Sequence, residues 1–173
     1  MKRKIIIGLI TVFTLLTIAM VFQFVKAVQE KERAAMTIQI LPSFSLTDVN
    51  ENMLTNHNIP DETWVVFVFF HSECHYCQSE AEQLQTLDLD TQNIQFIWIS
   101  SEKTEAVKKF QKAYQLLHIP FAVDFQEQLA MEWGISTIPQ FLIYNPKGEL
   151  YKNHKGALRI DHLISQIHEH KTN

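Results

Sequence analysis

Only two of the 173 residues are cysteine, four are glycine and five are proline. Two cysteines cannot build a disulfide scaffold, and so little glycine and proline argues against a collagen-like or long disordered chain. A packed core must therefore hold the fold, and a composition that is 46% hydrophobic can supply one. Basic residues are scarce beyond the N-terminus. Residues 1–33 carry six Lys/Arg and two Asp/Glu, whereas residues 34–173 carry nine and seventeen, a net of −8. That balance argues against a nucleic-acid partner. Internal repeats, low-complexity tracts and a second globular domain are also missing.

Charge is absent altogether from Ile5 to Val25, a run of 21 residues. As a helix it would be about 30 Å long, the thickness of a bilayer's hydrocarbon core, so it can span a membrane. Lys2, Arg3 and Lys4 precede it, and the bias of basic residues toward the cytoplasm places residues 1–4 inside and the remaining chain outside. A cleaved signal peptide would have a shorter apolar region and a small-residue cleavage site, and none follows Val25 directly, so a retained anchor is expected. Residues 26–36 then read as a charged stalk, and residues 37–173 as one folded domain.

Within that domain, residues 42–47 alternate polar with apolar and meet the turn formers Asp48-Val49-Asn50, which predicts a hairpin ending near Leu54. Trp64 to Phe70 is a continuous β-branched and aromatic run, expected as the central strand with both faces covered. Helix patterns follow at Cys77–Leu87, Glu102–Leu116 and Gln126–Trp133, the last ended by Gly134, and a second strand at Ile94–Ile99. Phe121–Val123 reads as a short strand, and Phe141–Tyr144 and Leu150–Asn153 as a hairpin around Asn145-Pro-Lys-Gly148. A final amphipathic helix is expected at Leu158–His168. Strands alternating with helices imply a three-layer α/β/α sandwich around one mixed sheet. Trp64, Trp98 and Trp133 fall in or beside these elements and read as core, and His162, His168 and His170 as solvated tail residues.

The two cysteines, Cys74 and Cys77, lie directly after the long strand and at the start of the next helix. There the first faces unpaired backbone N–H groups and the positive end of the helix dipole, which stabilise its thiolate and lower its pKa. The second is within reach one turn on. This spacing permits the outer thiolate to attack a substrate disulfide and the inner thiol to resolve the mixed disulfide. His71, Cys74, His75 and Cys77 could also be read as zinc or copper ligands, but they are crowded and lack the second ligand pair of a structural zinc site. Gln78 after Cys77 excludes a CxxCH haem attachment.

Four blocks, in this order, make the chain resemble the thioredoxin-like superfamily, and within it the membrane-tethered thiol-disulfide oxidoreductases of the TlpA and ResA type. They are Leu-Pro-Ser-Phe-Ser-Leu-Thr-Asp at 41–48, Phe-Phe before Cys-His-Tyr-Cys at 74–77, Trp-Gly-Ile-Ser-Thr-Ile-Pro at 133–139 and Asn-Pro-Lys-Gly at 145–148. The resemblance implies a thioredoxin-like fold over nearly all of residues 40–168, a cis Ile138-Pro139 bond, and a loop there that pairs with the substrate backbone beside the cysteines. It implies catalysis without a bound cofactor, client proteins with disulfides or thiols, and an upstream thiol-disulfide donor or acceptor in the membrane. The reductive direction also comes from the resemblance.

Two departures matter. Val68 stands where thioredoxin has its buried acid, so another group must handle the inner proton. Glu80 matches a glutamate of the ResA-type proteins, and its i,i+3 spacing from Cys77 puts it on the cysteine face of the helix; as a bare helix residue it would be a solvated carboxylate. His75 reads equally as a positive charge that makes the pair more oxidising or as an exposed loop residue. A peroxiredoxin would need Pro and Thr seven and three residues before its cysteine, where this chain has Phe67 and His71. A tethered copper-delivery or chaperone module on the same scaffold is the alternative of a different class.

Overall fold

The computed structural model describes residues 2–87 and 93–171 and forms two compact units, residues 1–36 and 37–173. The N-terminal unit is one helix, α1 (Lys2–Thr37), which continues unbroken through the charged stretch expected as a stalk. Its 36 residues extend about 54 Å, more than the roughly 30 Å needed to cross hydrocarbon. Phe13–Thr37 is long and apolar enough to cross a membrane and overlaps the expected span 5–25. Phe13, Leu16, Met20 and Phe24 are all exposed.

The second unit is built on a seven-stranded mixed sheet. Its strands are β1 (Ser45–Asp48), β2 (Met53–Thr55), β3 (Trp64–Phe69), β4 (Ile94–Ser100), β5 (Phe121–Val123), β6 (Gln140–Tyr144) and β7 (Leu150–Lys155), in the spatial order β2-β1-β5-β4-β3-β6-β7. The β3–β4 and β4–β5 pairs are parallel and the others antiparallel. β1 and β2 are the expected hairpin, Leu46 opposite Leu54, with the Asp48 carboxylate accepting from the Asn50 and Asn52 amides at 2.7 and 2.8 Å to close the turn. The middle place belongs to β4, with β3 beside it. Both strands are buried on both faces, and an apolar run reports that burial and not the position in the sheet.

Alternation along β3 sends its side chains to two cores. Val66, Val68 and Phe70 meet Ala81 and Leu84 of α2 (His75–Leu84), Val107 and Phe110 of α3 (Thr104–Ala113), and Leu163 and Ile167 of α5 (Ile160–Lys171). Val65, Phe67 and Phe69 face the opposite layer, made by Phe44, Trp133 and Leu129 of the short helix α4 (Gln128–Glu132). All three tryptophans are buried as expected. His170 is exposed but packs edge-on against Trp64 and Tyr151, at ring-centroid distances of 5.5 and 5.3 Å.

Several helix ends differ from expectation, each for a local reason. The helix expected from Cys77 starts at His75, because Cys74 itself caps it. α3 ends at Ala113, two residues before Gln115, whose φ of 54° lies in the left-handed region. α4 starts two residues late because Gln126 and Glu127 have positive φ; the Asp124 carboxylate then takes the Leu129 and Ala130 amides at 3.2 and 2.8 Å. Gly134 follows α4 with φ 67°, the left-handed conformation its place in the sequence predicted. α5 begins and ends later than expected, at Ile160 and Lys171.

Phe67 is fully buried and its ring meets Phe44, Trp133 and Tyr144 edge-on at 5.3, 5.1 and 5.9 Å. Phe67→Ala should cost about 3–5 kcal/mol through lost burial and the cavity left behind. Urea unfolding of the detergent-solubilised chain checks this through a lowered midpoint at unchanged slope.

Candidate active site at the start of helix α2

β3 delivers the chain to a five-residue loop, residues 70–74, and Cys74 ends that loop as the N-cap of α2. Its sulfur accepts the backbone N–H of Cys77 at 3.4 Å. That satisfies one of the unpaired amides at the helix start and fixes the outer sulfur against the inner residue. Cys74 is partly exposed, Cys77 is fully buried, and both are free thiols. Burial pushes the Cys77 thiol well above the ordinary cysteine range; its hydrogen bond to the Cys74 sulfur and the nearby Glu80 carboxylate act in the same direction, and a hydrogen bond from the His71 backbone amide acts against them. The pair is thus a partly accessible sulfur backed by a protonated one.

Glu80 lies on the cysteine face, as its spacing predicted, but it is no solvated carboxylate: only 2% of its surface is exposed. Oε1 accepts the Leu158 backbone N–H at 2.8 Å, and Oε2 is buried without a hydrogen-bond partner among the described residues. Desolvation raises its pKa to about 7, with the Leu158 bond opposing. Gln83, three residues on, accepts the Ile160 amide at 3.0 Å, so two side chains of α2 hold the start of α5.

Ile138-Pro139 is cis. Pro139 is buried and Ile138 exposed. The loop before them is tied down by the Ser136 amide on Gln140 Oε1 (3.1 Å), by Gln140 Nε2 on Asn153 Oδ1 (2.9 Å) and by Lys155 Nζ on Ser136 Oγ (2.8 Å). Ile138 and Thr137 line one wall of a groove of about 290 Å³ whose other walls include Phe70, Ser100 and Glu127. The groove therefore reaches the residue where β3 gives way to the cysteine loop. His75 is exposed on the first turn of α2. His71 is turned aside, its Nδ1 accepting the Glu73 amide at 3.2 Å and its Nε2 lying 3.6 Å from Glu102 Oε1. Among the described residues no three His, Cys, Asp or Glu side chains converge as metal ligands.

Glu102 is the site residue that sequence reasoning missed. It lies two residues beyond the end of β4, and in open α/β sheets the functional crevice lies beyond the carboxyl ends of the strands, which is the signal that could have found it. Its side chain is 13% exposed and receives the Ser72 amide and hydroxyl, both at 2.6 Å, and the Ser100 hydroxyl at 3.1 Å. Partial burial alone would raise its pKa. The Ser72 bonds, the His71 ring and Ser100 outweigh it and hold the carboxyl below its usual range.

Glu80 generates a stability prediction. A folded pKa near 7 against about 4.3 when unfolded means that the native state binds the extra proton between these values. The stabilisation is complete below about pH 4 and is lost as pH rises toward 7, by roughly 3–4 kcal/mol. Glu80→Gln should remove that slope and leave the variant relatively more stable at pH 8, as read from urea midpoints across pH.

No curated protein matches the chain by sequence. Among solved structures it is similar to a thiol-disulfide oxidoreductase from Bacteroides fragilis, with 20% identity over 75% of this chain and 98% of that one and a TM-score of 0.63. A secreted Mycobacterium tuberculosis disulfide oxidoreductase homologous to E. coli DsbE matches with 19% identity, covers of 73% and 95% and a TM-score of 0.62. StoA from Bacillus subtilis matches with 24% identity, covers of 73% and 97% and a TM-score of 0.59. At these identities the likeness establishes the thioredoxin-like fold, and the Bacteroides and Mycobacterium neighbours are oxidoreductases by description. A sequence profile matches residues 38–153, most of the folded unit and more than half of the chain, and by it the chain belongs to the AhpC/TSA family.

Proposed function

We propose that this protein is a membrane-tethered, extracytoplasmic thiol-disulfide oxidoreductase of the TlpA and ResA type that reduces disulfides of client proteins. The observation that carries the reading is the graded pair at the start of α2: a partly exposed Cys74 sulfur that accepts the Cys77 amide, with a buried Cys77 thiol behind it. Cys74 attacks a client disulfide as thiolate, one client sulfur leaves and is protonated, and a mixed disulfide remains on Cys74. Cys77 then loses its proton and attacks the Cys74 sulfur. The client's second thiol leaves, and two electrons have passed from the dithiol to the client.

Glu80 acts as the base for Cys77. Its Oε1 is anchored by Leu158 and its Oε2 has no partner among the described residues, so one oxygen keeps the group in place while the other can take a proton directly or through one water. A pKa of about 7 lets the same group accept a proton and give it back near neutral pH. The loop ending in Ile138 and Pro139 presents backbone to the extended client segment, and His75 tunes the pair from the solvent side. A thiol-disulfide donor in the membrane restores the dithiol, and the apolar helix, with residues 1–4 inside, holds the domain near that donor. Peroxide reduction by this family member is disfavoured, because the places of the activating Pro and Thr are taken by Phe67, committed to the core, and by His71, turned to Glu102.

Cys77→Ser should trap clients on Cys74 as mixed disulfides, identified by mass spectrometry of the reduced and non-reduced forms; attachment to Cys77 in Cys74→Ser, with none in the converse variant, would reverse the roles. In single-turnover experiments Glu80→Gln should slow decay of the mixed disulfide roughly ten- to a hundredfold near neutral pH. The difference should shrink below pH 7, where the wild-type carboxylate is itself protonated. Equal decay from pH 6 to 9 would remove Glu80 from the proton path.

A further inference from the structure

Three successive backbone amides leave β3 toward three different acceptors. The Phe70 N–H reaches Ile99 O at 3.0 Å, the His71 N–H hydrogen-bonds the Cys77 sulfur, and the Ser72 N–H reaches Glu102 Oε2 at 2.6 Å. The middle amide is the one donor that favours the Cys77 thiolate among the influences acting on that thiol, and its direction depends on its two neighbours. Phe70 is fixed by the sheet. Ser72 is gripped on three sides: its hydroxyl donates to Glu102 Oε1 at 2.6 Å, its amide to Oε2, and its carbonyl accepts from Gln78 Nε2 at 2.9 Å. Glu102 is in turn braced by the Ser100 hydroxyl on its Oε2, by its own amide on Ser100 Oγ at 3.3 Å, and by His71 Nε2 at 3.6 Å.

We propose that Glu102 is a positioning residue for the resolving step: by holding Ser72 at both its amide and its hydroxyl, it aims the His71 amide at the sulfur of Cys77. The inference rests on the thiol-disulfide reading of the site. In that step the Cys77 S–H gives its proton to the base, the sulfur bonds to Cys74, and the client's sulfur leaves with the electron pair of the broken S–S bond. An amide aimed at Cys77 stabilises the negative charge that the sulfur carries before it attacks. The carboxylate suits the task better than a neutral acceptor would. It accepts from several donors at once, and charge-assisted bonds of this length are about twice as strong as neutral ones. Glu102→Gln retains the size but turns an N–H₂ toward a donor, so the grip on Ser72 is halved.

The test uses the reduced full-length protein in detergent and a nitrobenzoate disulfide whose released thiol absorbs visible light. One equivalent is released when Cys74 forms the mixed disulfide and a second when Cys77 resolves it. In Glu102→Gln the ratio of the second rate to the first should fall about tenfold, one charge-assisted hydrogen bond's worth, and the pH profile of the second phase should move upward. Ser72→Ala, which removes only the hydroxyl bond, should shift both readouts in the same direction by less, and Ser72→Thr should restore them. Equal slowing of both phases would make Glu102 a merely structural residue, and an unchanged ratio and pH profile would remove it from the reaction; either overturns the proposal. If Glu102→Gln does not fold, Ser72→Ala and Ser72→Thr decide by the same two readouts. A wild-type protein that releases no first equivalent would instead refute the thiol-disulfide reading itself.

Discussion

The hydrogen bond from the Cys77 amide to the Cys74 sulfur is the constraint on which the rest of this site depends. A helix start leaves amides that need partners, and serine, threonine or aspartate usually provides the acceptor. Here sulfur takes that place, so closing the helix and orienting the outer cysteine are one event. Everything behind it follows from where α2 then points. Cys77 falls on the buried face with Ala81 and Leu84, one helical turn from solvent, and the position that places it there also raises the cost of ionising it.

Two carboxylates near the inner cysteine occupy opposite electrostatic positions. Glu80 is almost without solvent and has one bonded oxygen, so it holds a proton until about pH 7. Glu102, with donors from Ser72 and Ser100, stays ionised far below that. Pairs of acids whose surroundings push their pKa values apart divide into a proton carrier and a fixed charge. The burial of the first would be unfavourable on its own; the Leu158 amide offsets part of it, and the remainder is the property that makes the group useful near neutral pH.

Much of this was legible from the residues. The run Trp64–Phe70 declared a strand covered on both faces, the cysteine pair after it declared a helix start, and the spacing Cys77–Glu80 placed an acid on the inner face. What escaped were features set by distant neighbours. The β3 run could not say that β4 takes the middle of the sheet, since both strands are equally buried. Spacing also left open whether Glu80 is solvated, because its burial depends on Leu158, 78 residues away. Glu102 was hidden for the same reason: its partner Ser72 is 30 residues back, and local patterns carry no such pairing. The late start of α4 depends on positive φ at Gln126 and Glu127, residues whose side chains announce no turn.

The attachment of α5 ties these strands of argument together. The amides of Leu158, two residues before the helix, and of Ile160, its first residue, are taken by Glu80 and Gln83, both on α2. A helix that supplies core residues Leu163, Ile164 and Ile167 is therefore docked onto the same turn that carries the inner cysteine. The bond to Leu158 is charge-assisted only while Glu80 is ionised. Protonation of Glu80 weakens this bond, while its ionisation leaves on the buried Oε2 a charge with no hydrogen-bond partner among the described residues. The two costs oppose each other in a single carboxyl group. That opposition keeps its two protonation states close in free energy near neutral pH, which a proton acceptor in a closed interior requires if it is to be returned to its starting state on each turnover.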